Sequence, residues 1–190
     1  MSHYTVFQKF YRDAGKKMCQ DCDGFIENSS KILDLGCGSA IAGREFQKFF
    51  KADLIGIDIV DIRVEKIPFQ IFDGANIHFP DGHFDYILVS YVLHHAKDLL
   101  FLLKEAKRVA KKRIIIYEDL IEGWLSRLIC KIHGSTFSYF FQDKKGSDNF
   151  KKEKDWKIIF DNLKLKIIFE KRVSSLFNPV KKKLFILEKI

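Results

Sequence analysis

Acidic residues and glycines gather in this chain at the ends of short apolar runs. ILDLGCGSA places Asp34 two residues ahead of Gly36, with Cys37 and Gly38 completing a tight turn. LIGIDI ends on Asp58, twenty residues past Gly38, followed by Ile59, and a third run closes on Asp73-Gly74-Ala75. A turn without side chains lets backbone close on a ligand. An acid beside it disfavours a pyrophosphate and suits a ligand that is cationic or carries an amino group. The Asp58 spacing is the one at which dinucleotide folds place the acid for ribose hydroxyls, which a carboxylate accepts in pairs. A nicotinamide dinucleotide turn needs GxGxxG or GxGxxA, but the sixth residue from Gly36 is Ile41, and no GxxxxGK[ST] occurs.

Other chemistry-bearing residues follow later runs. Ser90 and Tyr91 precede the histidine pair His94-His95, either of which can take a proton near neutral pH. Each histidine also suits a structural role, one packed on the ligand loop and one solvated. Glu118 and Asp119 end IIIYEDL and suit a substrate contact, a partner for Lys or Arg, or a helix cap. Cys19 and Cys22 form a CxxC with no second ligand pair at zinc spacing, so no metal site is expected.

These residues need a scaffold. The spacing predicts an opening helix from about His3 to Cys19 with Tyr4, Phe7, Phe10, Tyr11, Ala14 and Met18 on one face. Strands are expected at Lys31–Leu35, Asp53–Ile59, Phe69–Phe72, Phe84–Ser90 and Arg113–Glu118, and helices at Ala40–Phe50, Asp98–Ala110 and Leu120–Ile132, the last ended by His133-Gly134. The strand runs lack clean alternation, as strands covered on both faces should. The order implies an α/β, doubly wound, mostly parallel sheet. Val60–Ile67 is too short for a crossover helix and reads as a loop or a single helical turn. A helix at Lys154–Asn162 and strands near Leu163–Val173 and Lys183–Lys189 end the chain.

With 190 residues, one domain is expected over 1–190: an N-terminal helical cap 1–30, a ligand-binding core 31–119, and C-terminal helices and the last two strands over 120–190. The net charge of +8 lies in the tail: from Asp143 onward 14 Lys/Arg face 7 Asp/Glu, against 19 and 18 before it. Alternation of Leu163, Leu165 and Ile167 with Lys164 and Lys166 reads as a solvated strand face, and Lys181–Lys183 as a turn. Apolar stretches fall well short of the roughly 18 residues that cross a bilayer, and no signal-peptide core opens the chain, so a cytoplasmic protein is expected.

ILDLGCGSA resembles motif I of the class I S-adenosylmethionine-dependent methyltransferases, and the later motifs keep that family's order through HFPDGHFDYILVSYVLHHAKD and IIIYEDL. The resemblance spans about Ile32–Asp119 and is nearest to the small-molecule, quinone-methyltransferase-like branch. It implies a Rossmann-like sheet whose final strand is antiparallel, and S-adenosyl-L-methionine as cofactor. Asp34 would hold the methionine amino group, Gly36, Cys37 and Gly38 would lie against the amino-acid part, and Asp58 with Ile59 would take the ribose. Asp73-Gly74 would face the adenine amino group, with Ser90 and Tyr91 closing the cofactor set. The chain departs from the family at Ala40, where a third glycine is usual.

Methyl transfer from a sulfonium chiefly requires alignment and exclusion of water. His94 or His95 is the candidate base for a hydroxyl acceptor, and Tyr11, Glu118, Asp119 and Trp124 are candidate substrate contacts. Aromatic side chains there suit either a pocket wall or ordinary core. The Leu120–Ile132 stripe reads as core, with an interfacial contact as the alternative. The expected substrate is a small or lipid-like molecule. The competing classes are a nucleic-acid methyltransferase, disfavoured because Ser90-Tyr91-Val92-Leu93 replaces the Asn/Asp-Pro-Pro-aromatic signature, and a cofactor-binding subunit without its own catalysis.

Overall fold

The computed structural model describes residues 7–130, 149–174 and 180–190. Seven strands form one sheet: β1 Lys31–Leu35, β2 Asp53–Asp58, β3 Phe69–Ile71, β4 Phe84–Ser90, β5 Ala110–Leu120, β6 Leu165–Arg172 and β7 Lys181–Lys189. Their order is β3-β2-β1-β4-β5-β7-β6. Strands β1 to β5 run parallel, and β7 is antiparallel to both its neighbours. From β1 the chain winds outward to β3 and then returns to β4. The crevice between β1 and β4 is therefore a topological switch point, where open α/β sheets bind ligands.

Helices cover both faces. α1 Gln8–Asp21 and α2 Ile41–Phe49 lie on one, where Cys19, Cys22, Phe46 and Phe50 pack with Ile32, Tyr86, Leu88, Ile115, Tyr117 and Ile186. α3 Leu99–Val109 and α4 Glu153–Asn162 lie on the other, where Leu102, Leu103, Trp156 and Phe160 pack with Leu33, Leu35, Val89, Ile114, Ile116 and Phe185. Successive strand residues thus feed two cores, which is why these runs read as continuously apolar. Asp98 caps α3 by accepting the Phe101 N–H at 2.9 Å, and Val60–Ile67 is a loop. No helix among the described residues is long and apolar enough to cross a membrane.

Three expectations need correction. Helix α1 turns a different face inward: Gly15 and Cys19 are buried, whereas Phe7 and Phe10 are 58% and 70% exposed. The reason is Gly15, whose missing side chain brings α1 close to α2; a Cβ there would sit 3.2 Å from Glu45 Cγ. His3 and Tyr4 lie outside the described residues. Leu120 ends β5 instead of opening a helix, because pairing with β7 carries the strand to Leu120 opposite Lys181. Helical turns begin only at 124, after Gly123 at φ +94°, and Ile132 with His133-Gly134 falls outside the described residues. Lys181–Lys183 form strand, not turn, because β7 pairs there with Leu120, Asp119 and Glu118 of β5; Lys182 meets Asp119, and Lys183 meets Glu153 and Glu170.

Candidate active site

Because β1 to β5 are parallel, every residue that follows them projects at one edge of the sheet. Asp34 is 2% exposed on β1, and its Oδ2 has no hydrogen-bond partner among the described residues. Burial, with the negative charge of Asp58 second, pushes this carboxyl up to about 7. The group fits against α2 only because residue 43 is glycine; a Cβ there would lie 2.3 Å from Asp34 Oδ2. A buried, unpartnered carboxylate is costly unless a cation or donor meets it.

The glycine turn is bent by left-handed backbone at Gly36, Gly38 and Ala40, with φ of +72°, +50° and +60°. Gly36 meets Val92 so closely that a Cβ would fall 2.5 Å from Val92 Cγ2, whereas a Cβ on Gly38 would meet nothing within 4 Å. The open side of the turn is therefore at Gly38. The Cys37 thiol packs down onto Gly56, where a Cβ would come within 2.8 Å of its sulfur. Ala40 occupies a conformation that favours glycine, which accounts physically for the usual third glycine.

Asp58 joins β2 to this turn, its Oδ2 accepting the Gly38 N–H at 2.8 Å and its Oδ1 the Ile59 N–H at 2.7 Å. Burial still raises its pKa, against the backbone hydrogen bonds that lower it. Ile59, 50% exposed, leans on Gly74, whose Cβ position lies 3.2 Å from Ile59 Cγ2. Asp73 accepts Ala75 N–H, Asn76 N–H and Asn76 Nδ2 within 2.9 Å, which holds it near pKa 2 and shapes its turn.

At the β4 and β5 ends the side chains sort themselves by burial. His94 is buried, its Nδ1 lying 2.6 Å from Glu118 Oε2, while Glu118 Oε1 accepts the Leu93 N–H at 2.8 Å. The His94 ring stacks on Phe150 at 4.3 Å and touches His95 at 4.1 Å. His95 is only half-buried. Ser90 lies opposite Tyr117, and Tyr91 takes φ +59° at the point where the sheet stops. Burial, then Asp119, pushes the Tyr91 hydroxyl up. Lys182 spans the two, 4.4 Å from the Tyr91 ring and 3.5 Å from Asp119 Oδ1.

The remaining candidates divide. Tyr11 is half-buried on α1. That helix is tied to the loop after β2 by Gln8 and Arg12, which both donate to Glu65 at 3.0 Å, and the Val64 N–H donates in turn to Ser39 of the glycine turn at 3.0 Å. Trp124 stands 79% exposed. Sequence reasoning did not single out Gly43, Gly56, Phe150 or Lys182. Only the glycines carried a signal, as small residues within an apolar helix and an apolar strand. Among the described residues no three His, Cys, Asp or Glu side chains are grouped to hold a metal.

A family model described as a methyltransferase domain matches residues 7–162. The chain belongs to that family. The chain is 32% identical to the sterol 24-C-methyltransferase erg6 of Aspergillus fumigatus over 45% of its own length and 26% of that protein's. It is 28% identical to the chloroplastic tocopherol O-methyltransferase of Arabidopsis thaliana over 54% of its length and 36% of that protein's. The chain thus spans about a quarter to a third of those relatives. In fold it is similar to a geranyl diphosphate methyltransferase solved in complex with S-adenosylmethionine, with TM-score 0.70 and 12% identity over 93% of this chain and 85% of that one. The residues fit that cofactor: the Asp34 carboxylate, without a partner among the described residues, calls for an ammonium, and the open side of Gly38 leaves room for it.

Proposed function

We propose that this methyltransferase transfers a methyl group from S-adenosylmethionine to a small, lipid-like acceptor. The observation that carries the reading is the buried Asp34 carboxylate, without a partner among the described residues, at the crevice between β1 and β4. Asp34 binds the amino group, the backbone at Gly36 and Gly38 lies against the amino-acid part, and Asp58 takes the ribose hydroxyls. Ile59 and Gly74 form an apolar shelf for the adenine, while Asp73 holds the shape of the turn beneath it. Bound there, the cofactor supplies an electrophilic methyl carried on a sulfonium.

The chain's own residues orient the acceptor and exclude water. Where the acceptor is a hydroxyl, half-buried His95 takes the proton and His94, clamped by Glu118, positions it. Asp119 and Lys182 face the acceptor across Tyr91. The small-molecule reading is supported by the relatives named above, which act on sterols and tocopherols, and by the pairing of several of the tail's cations. Lys157 and Lys183 meet Glu153 and Glu170, Lys171 meets Asp21, and Arg172 meets Glu122. We place the protein in the cytoplasm, a setting consistent with four buried cysteine thiols. The test is incubation with methyl-labelled S-adenosylmethionine and a panel of sterols, prenylated quinols and tocopherols, with mass analysis of the products. Label appearing only on added RNA would reject the reading.

A further inference from the structure

We propose that the outer face of the helical turns at 124–130 docks this methyltransferase onto an anionic lipid bilayer. Among the described residues the segment is anchored on one side. Ser126 and Cys130 are buried, and Cys130 packs with Ile121, Ile129, Phe150 and Val180. Its other side presents Trp124, Leu125 and Leu128, exposed by 79%, 45% and 49%. Tryptophan is seldom left this far in water, and it favours the boundary between headgroups and acyl chains.

Charge decides the occupant. Arg127 is exposed on the same turns. At the base of the segment β7 brings Lys181 opposite Leu120 and Lys182 opposite Asp119, Lys151 bridges to Leu120, and Arg172 lies 3.4 Å from Glu122. Among the described residues the carboxylates here are Asp119 and Glu122, already met by Lys182 and Arg172, which leaves Arg127 and Lys151 in excess in a chain of net charge +8. An apolar patch containing Trp and Leu and bordered by cations is the composition of an interfacial helix. A second copy would bring the same cations face to face, which argues against self-association. The segment follows β5 directly, so docking would turn the edge that carries Glu118 and Asp119 toward the lipid.

The two tryptophans make a direct test. Trp156 is fully buried, so a change in emission on vesicle binding reports Trp124. Phosphatidylcholine vesicles containing phosphatidylglycerol should shift the emission to the blue and protect it from acrylamide. Pure phosphatidylcholine should do neither, and added salt should reverse the effect. The double variant Leu125→Ser/Leu128→Ser keeps the reporter and should partition roughly tenfold more weakly, with melting and S-adenosylmethionine binding as in the parent. Because vesicle binding is read without acceptor or turnover, its failure leaves the proposed reaction standing. Trp124 remaining fully quenchable on anionic vesicles would overturn the proposal. So would a blue shift that follows protein concentration alone with dimers in sedimentation, which would assign the face to a second copy.

Discussion

Glu118 and His94 meet inside the protein, carboxylate oxygen to ring nitrogen at 2.6 Å, and the same carboxylate takes the Leu93 N–H. One residue of β5 thereby fixes the turn that follows β4, on which His95 and the acceptor edge depend. Glu118→Ala leaves both donors buried and should cost about 2 to 3 kcal/mol, the scale for hydrogen bonds to a charged group. Glu118→Gln, which can still satisfy one donor, should cost less. Urea unfolding of the two variants checks the order, and equal loss would mean that the carboxylate is not what holds the turn.

Asp34 should make cofactor binding depend on pH. Its folded carboxyl holds a proton up to about 7, whereas the unfolded chain releases it in the ordinary carboxylate range. Its contribution to stability is therefore present in acid and lost as pH rises through about 7. Binding of an ammonium has the opposite sign, since it needs the charged carboxylate. Affinity should rise from about pH 6 until the cofactor's own amino group deprotonates near pH 8. Calorimetry in buffers of contrasting ionisation enthalpy should show proton release on binding near pH 6, and Asp34→Asn should abolish it.

Asp58 should contribute through its hydrogen bonds. Asp58→Ala is expected to weaken S-adenosylmethionine binding by roughly 1.5 to 3 kcal/mol. Unchanged affinity by titration would remove Asp58 from the ribose contact.

Gly43→Ala places a methyl group against Asp34 Oδ2, so the carboxylate must turn away from the place it holds. Cofactor binding should fall at least tenfold while α2 itself remains well formed, as circular dichroism would report. Parent-like binding would show that Asp34 can move without consequence.

Ala40 and Trp124 give contrasting stability tests. A β-branched side chain at the left-handed Ala40 position should cost about 1 to 3 kcal/mol, so Ala40→Val should melt well below the parent. Ala40→Gly should stay near it, because relief of the backbone offsets the lost buried methyl. Trp124→Ala, on an exposed side chain, should change stability by no more than about 0.5 kcal/mol. A large loss at Trp124 would return it to the core.

What the sequence determined by itself is what local chemistry dictates. Apolar runs and the glycine turn set five strands in order. The positions of Asp34, Asp58, Asp73, Ser90 and Glu118 were legible because each lies at or near the carboxyl end of a strand, and parallel strands must deliver those ends to one edge. Tertiary structure decided everything that depends on residues distant in the chain. Periodicity could place an apolar stripe on α1, but only the approach of Gly15 to α2 chose the buried face and left Phe7 and Phe10 outside. The Leu120–Ile132 run looked like one helix until β7 paired with β5 and held Leu120 in strand, turning Trp124, Leu125 and Leu128 to the surface. The two histidines, equivalent in sequence, became distinct once Glu118 and Phe150 enclosed His94. A local pattern carries the period of an element and the chemistry of its ends; which face is buried, and what meets a buried charge, are properties of packing between elements.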